Sequence, residues 1–272
     1  MSILYDPKER GFAEALTVID RCQIAMLREL AHASEGRLVL KGGMAMRVAV
    51  GSMRLTKDVD FDRADGVSTA SVQSSVKRAL QYAAQSAGLR AAEIDPGKST
   101  ETTVRMRLAG IASGTPVRFV VEVSGRNPVP RAYQDRVQVT PPSRYGIAPF
   151  MVATYSRAML AASKTLAVMS ANRNVPRDVH DLHDLLAADP APVLAAQVSP
   201  AQLQDLQASV LDKVCAIDFA MAQQELLPYI PPDQREALTQ ARWEEMTLQV
   251  AQTVQQWLAR ALHIQAGSAG KP

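Results

Sequence analysis

LVLKGGMAMRVAVGSMRLTKDVDFD, residues 38–62, joins a short apolar run to a glycine pair, a helix-like stretch and then aspartates at positions 58, 60 and 62. "RLVLK" reads as a short buried strand, the glycines as a tight turn, and "MAMRVAVG" as the helical segment that the turn opens. "KDVDFD" alternates polar and apolar residues and reads as a second strand. Side chains at every second strand position share a face, so Asp58, Asp60 and Asp62 start together while Val59 and Phe61 enter the core. Like charges so close repel one another and gain nothing for folding.

A divalent cation is the usual remedy, and hard carboxylate oxygens favour Mg²⁺ or Mn²⁺. Glu122, an acid inside the apolar run "RFVVEVS", is the candidate to join the aspartates from a neighbouring strand. The competing reading is a solvated strand edge, with Glu122 on its wet face. An EF-hand starting at Asp58 is excluded, because Arg63 and Thr69 stand where that loop needs glycine and glutamate. Gly42 and Gly43 allow backbone N–H groups to approach an anion at the start of a helix. A phosphate site beside a metal site implies a nucleotide.

The chain of 272 residues is 47% hydrophobic, enough to bury a sizeable core. Its net charge of +3 does not announce a nucleic-acid binder, so any such surface is local. Two cysteines, Cys22 and Cys215, rule out a disulfide framework or a Cys-rich zinc site and suit a reducing compartment. "MSILYDPKERGF" lacks the apolar core of a signal peptide, and Arg157 and Lys164 interrupt the most apolar later segment, "APFMVATYSRAMLAASKTLAVMS". A cytoplasmic protein without membrane association is expected, and that segment reads as a helix.

Apolar spacing predicts a helix from Phe12 to about Leu30 and another over "STASVQSSVKRALQYAAQSAG". Strands are expected at "TTVRMRLAG", "PVRFVVEVSG" and "RVQVT". Residues 1–145 thus read as a mixed α/β domain. From Phe150 to His263 nearly everything reads as helical, with prolines at the joints separating four or five helices. The last presents Trp243, Met246, Val250, Val254, Trp257 and Leu258 on one face. The helical domain is taken as 146–265, and the patternless tail 266–272 as disordered.

"KGGMAMRVAVGSMRLTKDVDFD" resembles the signature of the DNA polymerase β nucleotidyltransferase superfamily. It is closest to the AbiEii-type branch, the abortive-infection and toxin–antitoxin nucleotidyltransferases that include the MenA/MenT toxins. In that branch the glycine pair precedes an Arg-x-Ser/Thr-x-Asp-x-Asp element, here Arg54 to Asp60. A second block, "SKTLAVMSANRNVPRDVHDLHDLL", supplies Lys164, Arg173, Arg177, Asp178 and Asp181 at matching positions. The resemblance implies an α/β nucleotidyltransferase core, a mixed sheet with flanking helices, plus a C-terminal α-helical bundle that completes the nucleotide cleft of a bilobed protein. It also implies transfer of NMP from an NTP to an RNA acceptor, the 3′ end of tRNA, which blocks translation, with a separately encoded antitoxin as partner.

By the same resemblance Asp58 and Asp60 hold two metal ions and Glu122 completes the site, with Asp62 as its substitute. Gly42 and Gly43 cradle the β- and γ-phosphates, and Lys164 offsets their charge. Asp178 matches a residue important for activity. It also suits the first turn of a helix, and Asp181 stands four residues from Arg177, a pairing distance. Arg177 belongs to the nucleotide-binding block. Arg54 and Thr56 orient the aspartate strand, and Thr56 is within reach of a phosphate. Two other readings remain open: the same fold modifying a protein or small molecule, and a nucleotide- or antitoxin-binding module without turnover. His180 and His183 share a helical face but lack partners for a metal site, and Arg105, Arg107 and Arg118 suit either an RNA surface or the wet face of a sheet.

Overall fold

The computed structural model describes residues 2–269 apart from Glu35, Lys98 and Asn127, and divides the chain into the units Met1–Tyr155 and Ser156–Pro272. The first unit is built on eight strands: β1 Ser2–Ile3, β2 Leu38–Lys41, β3 Asp58–Arg63, β4 Arg90–Asp95, β5 Thr103–Ala112, β6 Thr115–Ser124, β7 Gln134–Thr140 and β8 Phe150–Tyr155. They form one mixed sheet in the order β1-β7-β8-β2-β3-β6-β5-β4. β2 and β3 lie antiparallel at its centre, and each takes a parallel outer neighbour, β8 and β6 respectively.

Alternation decides which face is covered. Val59 and Phe61 of β3, and Val117, Phe119, Val121 and Val123 of β6, are buried on one side of the sheet. Helices α1, Glu14–Ala33, and α3, Thr69–Ser86, pack against each other and over this side. α1 buries Leu16, Ile19, Cys22, Ile24, Leu27 and Leu30, the apolar set whose spacing marks it as a helix. Full burial of each such Leu or Ile contributes roughly 1.5–3 kcal/mol. Burial pushes the Cys22 thiol up to about 12, so it behaves as an apolar side chain. Ser68 starts α3 by accepting a hydrogen bond from the Ser71 amide.

Phe150–Tyr155 corrects an expectation, because this segment, expected to be helical, is strand β8, hydrogen-bonded to β7 and β2. Short apolar runs are ambiguous by periodicity alone, and "FMVATY" is rich in the β-branched and aromatic residues that suit a pleat. β4 was not foreseen either, since "RAAEID" is polar and largely exposed. It pairs with β5 through a register shift between Arg90 and Glu93, where Ala91 has φ +47°.

Every regular element described in the second unit is helical: α4 Arg157–Val168, α5 Pro176–His183, α6 Ala191–Gln197, α7 Pro200–Cys215, α8 Phe219–Glu225, a 3₁₀ turn Leu227–Tyr229, α9 Pro232–Ala237 and α10 Gln240–Ala269. These seven α-helices exceed the four or five expected; prolines at first or second helical positions start the short helices α5, α6 and α9 as well as the longer α7. α10 packs on α7 and α6, burying Trp243, Val250, Val254, Trp257 and Leu258, while Trp243 Nε1 donates to Ile217 O at 2.8 Å. It runs through Ala269, four residues into the segment read as disordered; the last three lie outside the described residues.

Between β2 and β3 the chain forms helix α2, Gly42–Ala45, which widens into a π turn, Met46–Val50, ending at Gly51 in the left-handed region. Arg47 in that turn is 1% exposed and faces Asp20 of α1, also 1% exposed. Its Nε and Nη2 stand 2.7 and 2.9 Å from the two Asp20 oxygens. Tyr145 donates to Asp20 Oδ2 at 2.6 Å, and the Arg47 guanidinium lies 4.2 Å from the Tyr5 ring centroid. Burial alone would lower the Arg47 pKa; the Asp20 carboxylate more than reverses that and holds it above its usual value. Asp20→Ala leaves a buried guanidinium unpaired, and we expect a loss of about 3–5 kcal/mol in urea unfolding. Asp20→Leu combined with Arg47→Met should recover most of it. A single variant within about 0.5 kcal/mol of wild type would refute the pair's role.

Candidate active site

β3 presents Asp58 and Asp60 on the sheet face opposite Val59 and Phe61, and both carboxylates are half-buried. Antiparallel pairing sets Lys41 of β2 opposite Asp60, and parallel pairing sets Glu122 of β6 on its other side. Arg105 of β5 follows Glu122 in the same row. Directly paired residues share a face, so Lys41, Asp60, Glu122 and Arg105 form a line of cations and acids across four strands. The sheet thus brings Asp60 and Glu122 together as the sequence suggested, with Asp58 two residues along the same face.

Gly42 turns the chain beside this row. Its φ of +67° is left-handed, and a side chain there would run into the Asp60 carboxylate at Oδ2. Glycine is therefore required twice over, by its backbone angle and by the closeness of Asp60. A Cβ at Gly43 would stand 2.9 Å from Arg54 Nη2 and 3.0 Å from Thr56 Oγ1. Arg54 and Thr56 are buried beneath the turn, 3% and 4% exposed. Thr56 Oγ1 lies 3.3 Å from the Asp58 amide and 3.2 Å from its carbonyl, bonding to both, and Gln23 of α1 donates to Thr56 O at 3.0 Å. These bonds tie the first residue of β3 to Thr56 and, through it, to α1.

Asp62 differs from its two neighbours. It is 3% exposed, receives Lys41 Nζ at 2.6 Å on Oδ1, and accepts the Tyr155 hydroxyl on Oδ2. Both of its oxygens are thus engaged. Burial, followed by the Asp62 carboxylate, raises the Tyr155 pKa, so the phenol stays a neutral donor. Sequence reasoning missed Lys41 and Tyr155. A lysine closing an apolar strand directly before the glycines was the available signal for the first; none pointed to the second.

A hard divalent cation fits Asp58, Asp60 and Glu122 by donor chemistry, and the missing side chain at Gly42 leaves room beside one oxygen of Asp60. Among the described residues no three acidic, histidine or cysteine side chains are already gathered as a metal-binding group. A cavity of about 390 Å³ in this unit lies on the α1 side of the sheet, lined by Leu27, Leu30, Leu38 and Phe61, and includes none of the β3 aspartates.

In the second unit Lys164 of α4 reaches two aspartates of α5, with Nζ 2.7 Å from both Asp178 Oδ1 and Asp181 Oδ2. Arg173 Nε stands 2.7 Å from the other Asp178 oxygen. Asp178 and Asp181 are 1% and 0% exposed. Burial pushes the Asp178 pKa up, but Lys164 and Arg173 outweigh it and hold the carboxyl below its usual range. Asp181 turns to Lys164 rather than to Arg177, whose guanidinium lies 5.8 Å from the Tyr229 ring centroid. His180 Nδ1 is 3.7 Å from Asp184.

The sheet with its flanking helices and the acidic strand define a nucleotidyltransferase-like α/β protein. The chain belongs to the family described as "Nucleotidyl transferase AbiEii toxin, Type IV TA system", whose model matches residues 25–262, and is thereby a transferase. No curated relative matches it. Among solved structures it is similar to JHP933 from Helicobacter pylori, at 17% identity and a TM-score of 0.59, over 95% of this chain and 98% of that one. It is also similar to a "putative nucleotidyltransferase from H. pylori", at 16% identity and a TM-score of 0.57, over 96% and 100%. These likenesses show the fold. No described helix is long and apolar enough to cross a membrane.

Two outcomes test this geometry. Gly51 has φ +82° with nothing within 4 Å of the place a methyl would take, so Gly51→Ala carries only the left-handed strain, about 1–2 kcal/mol. Gly42→Ala adds the collision with Asp60 and should melt lower than Gly51→Ala; equal melting would discard the close approach. Asp178→Asn should cost roughly 3 kcal/mol at neutral pH. Because the folded pKa is depressed, this stabilisation is complete above the ordinary value of 3.8 and is lost as pH falls through the lower folded value. The melting gap between wild type and variant should therefore close in acid, and a constant gap down to about pH 2 would contradict the assignment.

Proposed function

We propose that this protein transfers NMP from an NTP to an RNA acceptor, the 3′ end of tRNA, with release of pyrophosphate. It then acts in the cytoplasm as the toxin of a toxin–antitoxin pair and blocks translation, with a cognate antitoxin protein as its partner. The observation that carries the reaction class is the row in which Asp60 meets Glu122 across β3 and β6, with Asp58 on the same face and the Gly42 turn against it. RNA as acceptor, and the toxin role in this chain, rest on membership of the AbiEii family.

In this reading the acceptor hydroxyl displaces pyrophosphate in line at the α-phosphorus. Asp58, Asp60 and Glu122 are the residues that would hold Mg²⁺ or Mn²⁺. Bound there, the ions would make the attacking oxygen more nucleophilic and neutralise the leaving pyrophosphate. Gly42 and Gly43 offer backbone N–H groups to the β- and γ-phosphates without side chains in the way. Thr56 keeps β3 in register and so keeps Asp58 aimed. We assign Lys164 to the phosphate charge, with Asp178 and Asp181 fixing its ammonium, and Arg177 to the nucleotide.

Purified protein incubated with each α-³²P-labelled NTP, Mg²⁺ and total cellular RNA should label a tRNA-sized band. Asp58→Ala and Asp60→Ala should each lower that labelling by about a hundred- to a thousandfold, the scale lost when a charge-stabilising group is removed. Label that resists RNase and yields to protease would replace the RNA acceptor with a protein. Full activity of the Asp60 variant would overturn the site.

A further inference from the structure

The paired cation Lys41 has no part in the reading above. It ends β2, precedes Gly42 directly, and stands in register opposite Asp60 on the face that carries the acids. Its side chain is 28% exposed, while the Asp62 carboxylate that receives its Nζ at 2.6 Å is 5% exposed. The ammonium is therefore partly exposed while its anion is buried. A lysine beside Asp58, Asp60 and Glu122 has three competing carboxylates within its row and the next. Asp62 holds it at the side of the row instead, and the Tyr155 hydroxyl occupies the remaining Asp62 oxygen, so that carboxylate keeps one orientation. An ammonium carries three N–H donors, and a single carboxylate oxygen uses one of them.

We propose that Lys41 contacts the phosphate chain of the nucleotide, and that Asp62, held by Tyr155, is a positioning residue for that ammonium rather than a metal ligand. The inference rests on the nucleotidyltransferase reading and adds a substrate contact to it. A triphosphate brings more negative charge than the acidic strand can accept unaided, and a fixed cation beside the glycine turn offsets it. Lysine suits the place because a compact ammonium can serve Asp62 and a phosphate oxygen from one point, whereas a forked guanidinium spreads its donors.

The test uses the full chain with ATP, CTP, GTP and UTP, and follows pyrophosphate release, the KM for NTP, the Mg²⁺ requirement, and calorimetric binding of inorganic triphosphate. Lys41→Ala should raise the KM for NTP and weaken triphosphate binding by about ten- to a hundredfold, the loss of one charge-assisted hydrogen bond. The KM should change more than kcat, and Lys41→Arg should restore part of the binding. Asp62→Asn should move the KM in the same direction without changing the Mg²⁺ requirement. The double variant Lys41→Ala with Asp62→Asn leaves no buried charge unpaired and should bind no worse than Lys41→Ala alone. It also keeps the test valid if Lys41→Ala fails to fold. An unchanged KM and unchanged triphosphate binding in these variants, with wild type active, would overturn the role of Lys41. A raised Mg²⁺ requirement in Asp62→Asn, additive with Lys41→Ala, would make Asp62 a metal ligand instead. A wild-type protein that releases no pyrophosphate with any NTP and total RNA would remove the nucleotidyltransferase reading itself.

Discussion

The absence of a side chain at Gly42 is the constraint on which the first unit depends. Backbone at that point must turn through a left-handed angle while lying against the carboxylate of Asp60. Only then can β2 and β3 pair so that Lys41 faces Asp60 and the acids of β3 share the face opposite Val59 and Phe61. The π turn that follows is held by Arg47 on Asp20, and the segment entering β3 by Gln23 on Thr56 O, both reaching α1. α1 thus serves two purposes: its apolar stripe covers the sheet, and its few buried polar groups locate the turn.

Two groups of acids in this chain differ in their surroundings. Asp20, Asp62, Asp178 and Asp181 are nearly inaccessible and each faces a named cation, Arg47, Lys41 or Lys164. Asp58, Asp60 and Glu122 are only half-buried and share one sheet face. The first kind is costly to bury and is justified by pairing that fixes geometry. In the second, Asp60 and Glu122 lie in register between Lys41 and Arg105 on that face. The aspartates of β3, identical in type and alternate in position, divide between the two kinds at Asp62.

Most of this was legible where chemistry and periodicity agree. The strand–turn–helix at residues 38–50, the acidic strand, α1, α3 and the paired strands β5 and β6 follow from alternation, spacing and glycines. Glu122 was singled out as an acid in an apolar strand, and the pairing of β6 with β3 sets it opposite Asp60. β8 was misread because "FMVATY" runs into the apolar helix α4, and its strand character depends on pairing with β7 and β2, the latter far away in sequence. The same limit hid Tyr155 as partner of Asp62, 93 residues apart, and Tyr145 as partner of Asp20, 125 apart. Arg177 and Asp181 show the converse: a favourable local spacing lost to a better tertiary partner, Lys164.

The two ends of the sheet decide how the protein behaves among copies of itself. β4 ends one side with Arg90, Glu93 and Asp95 exposed and with a break in register at Ala91, and β1 ends the other with two residues. An intruding strand would find at β4 a kinked ladder edged by charge, and at β1 too few hydrogen bonds to hold it. Eight strands joined edge to edge with those of another molecule would be a template for fibres; these ends make such growth unfavourable.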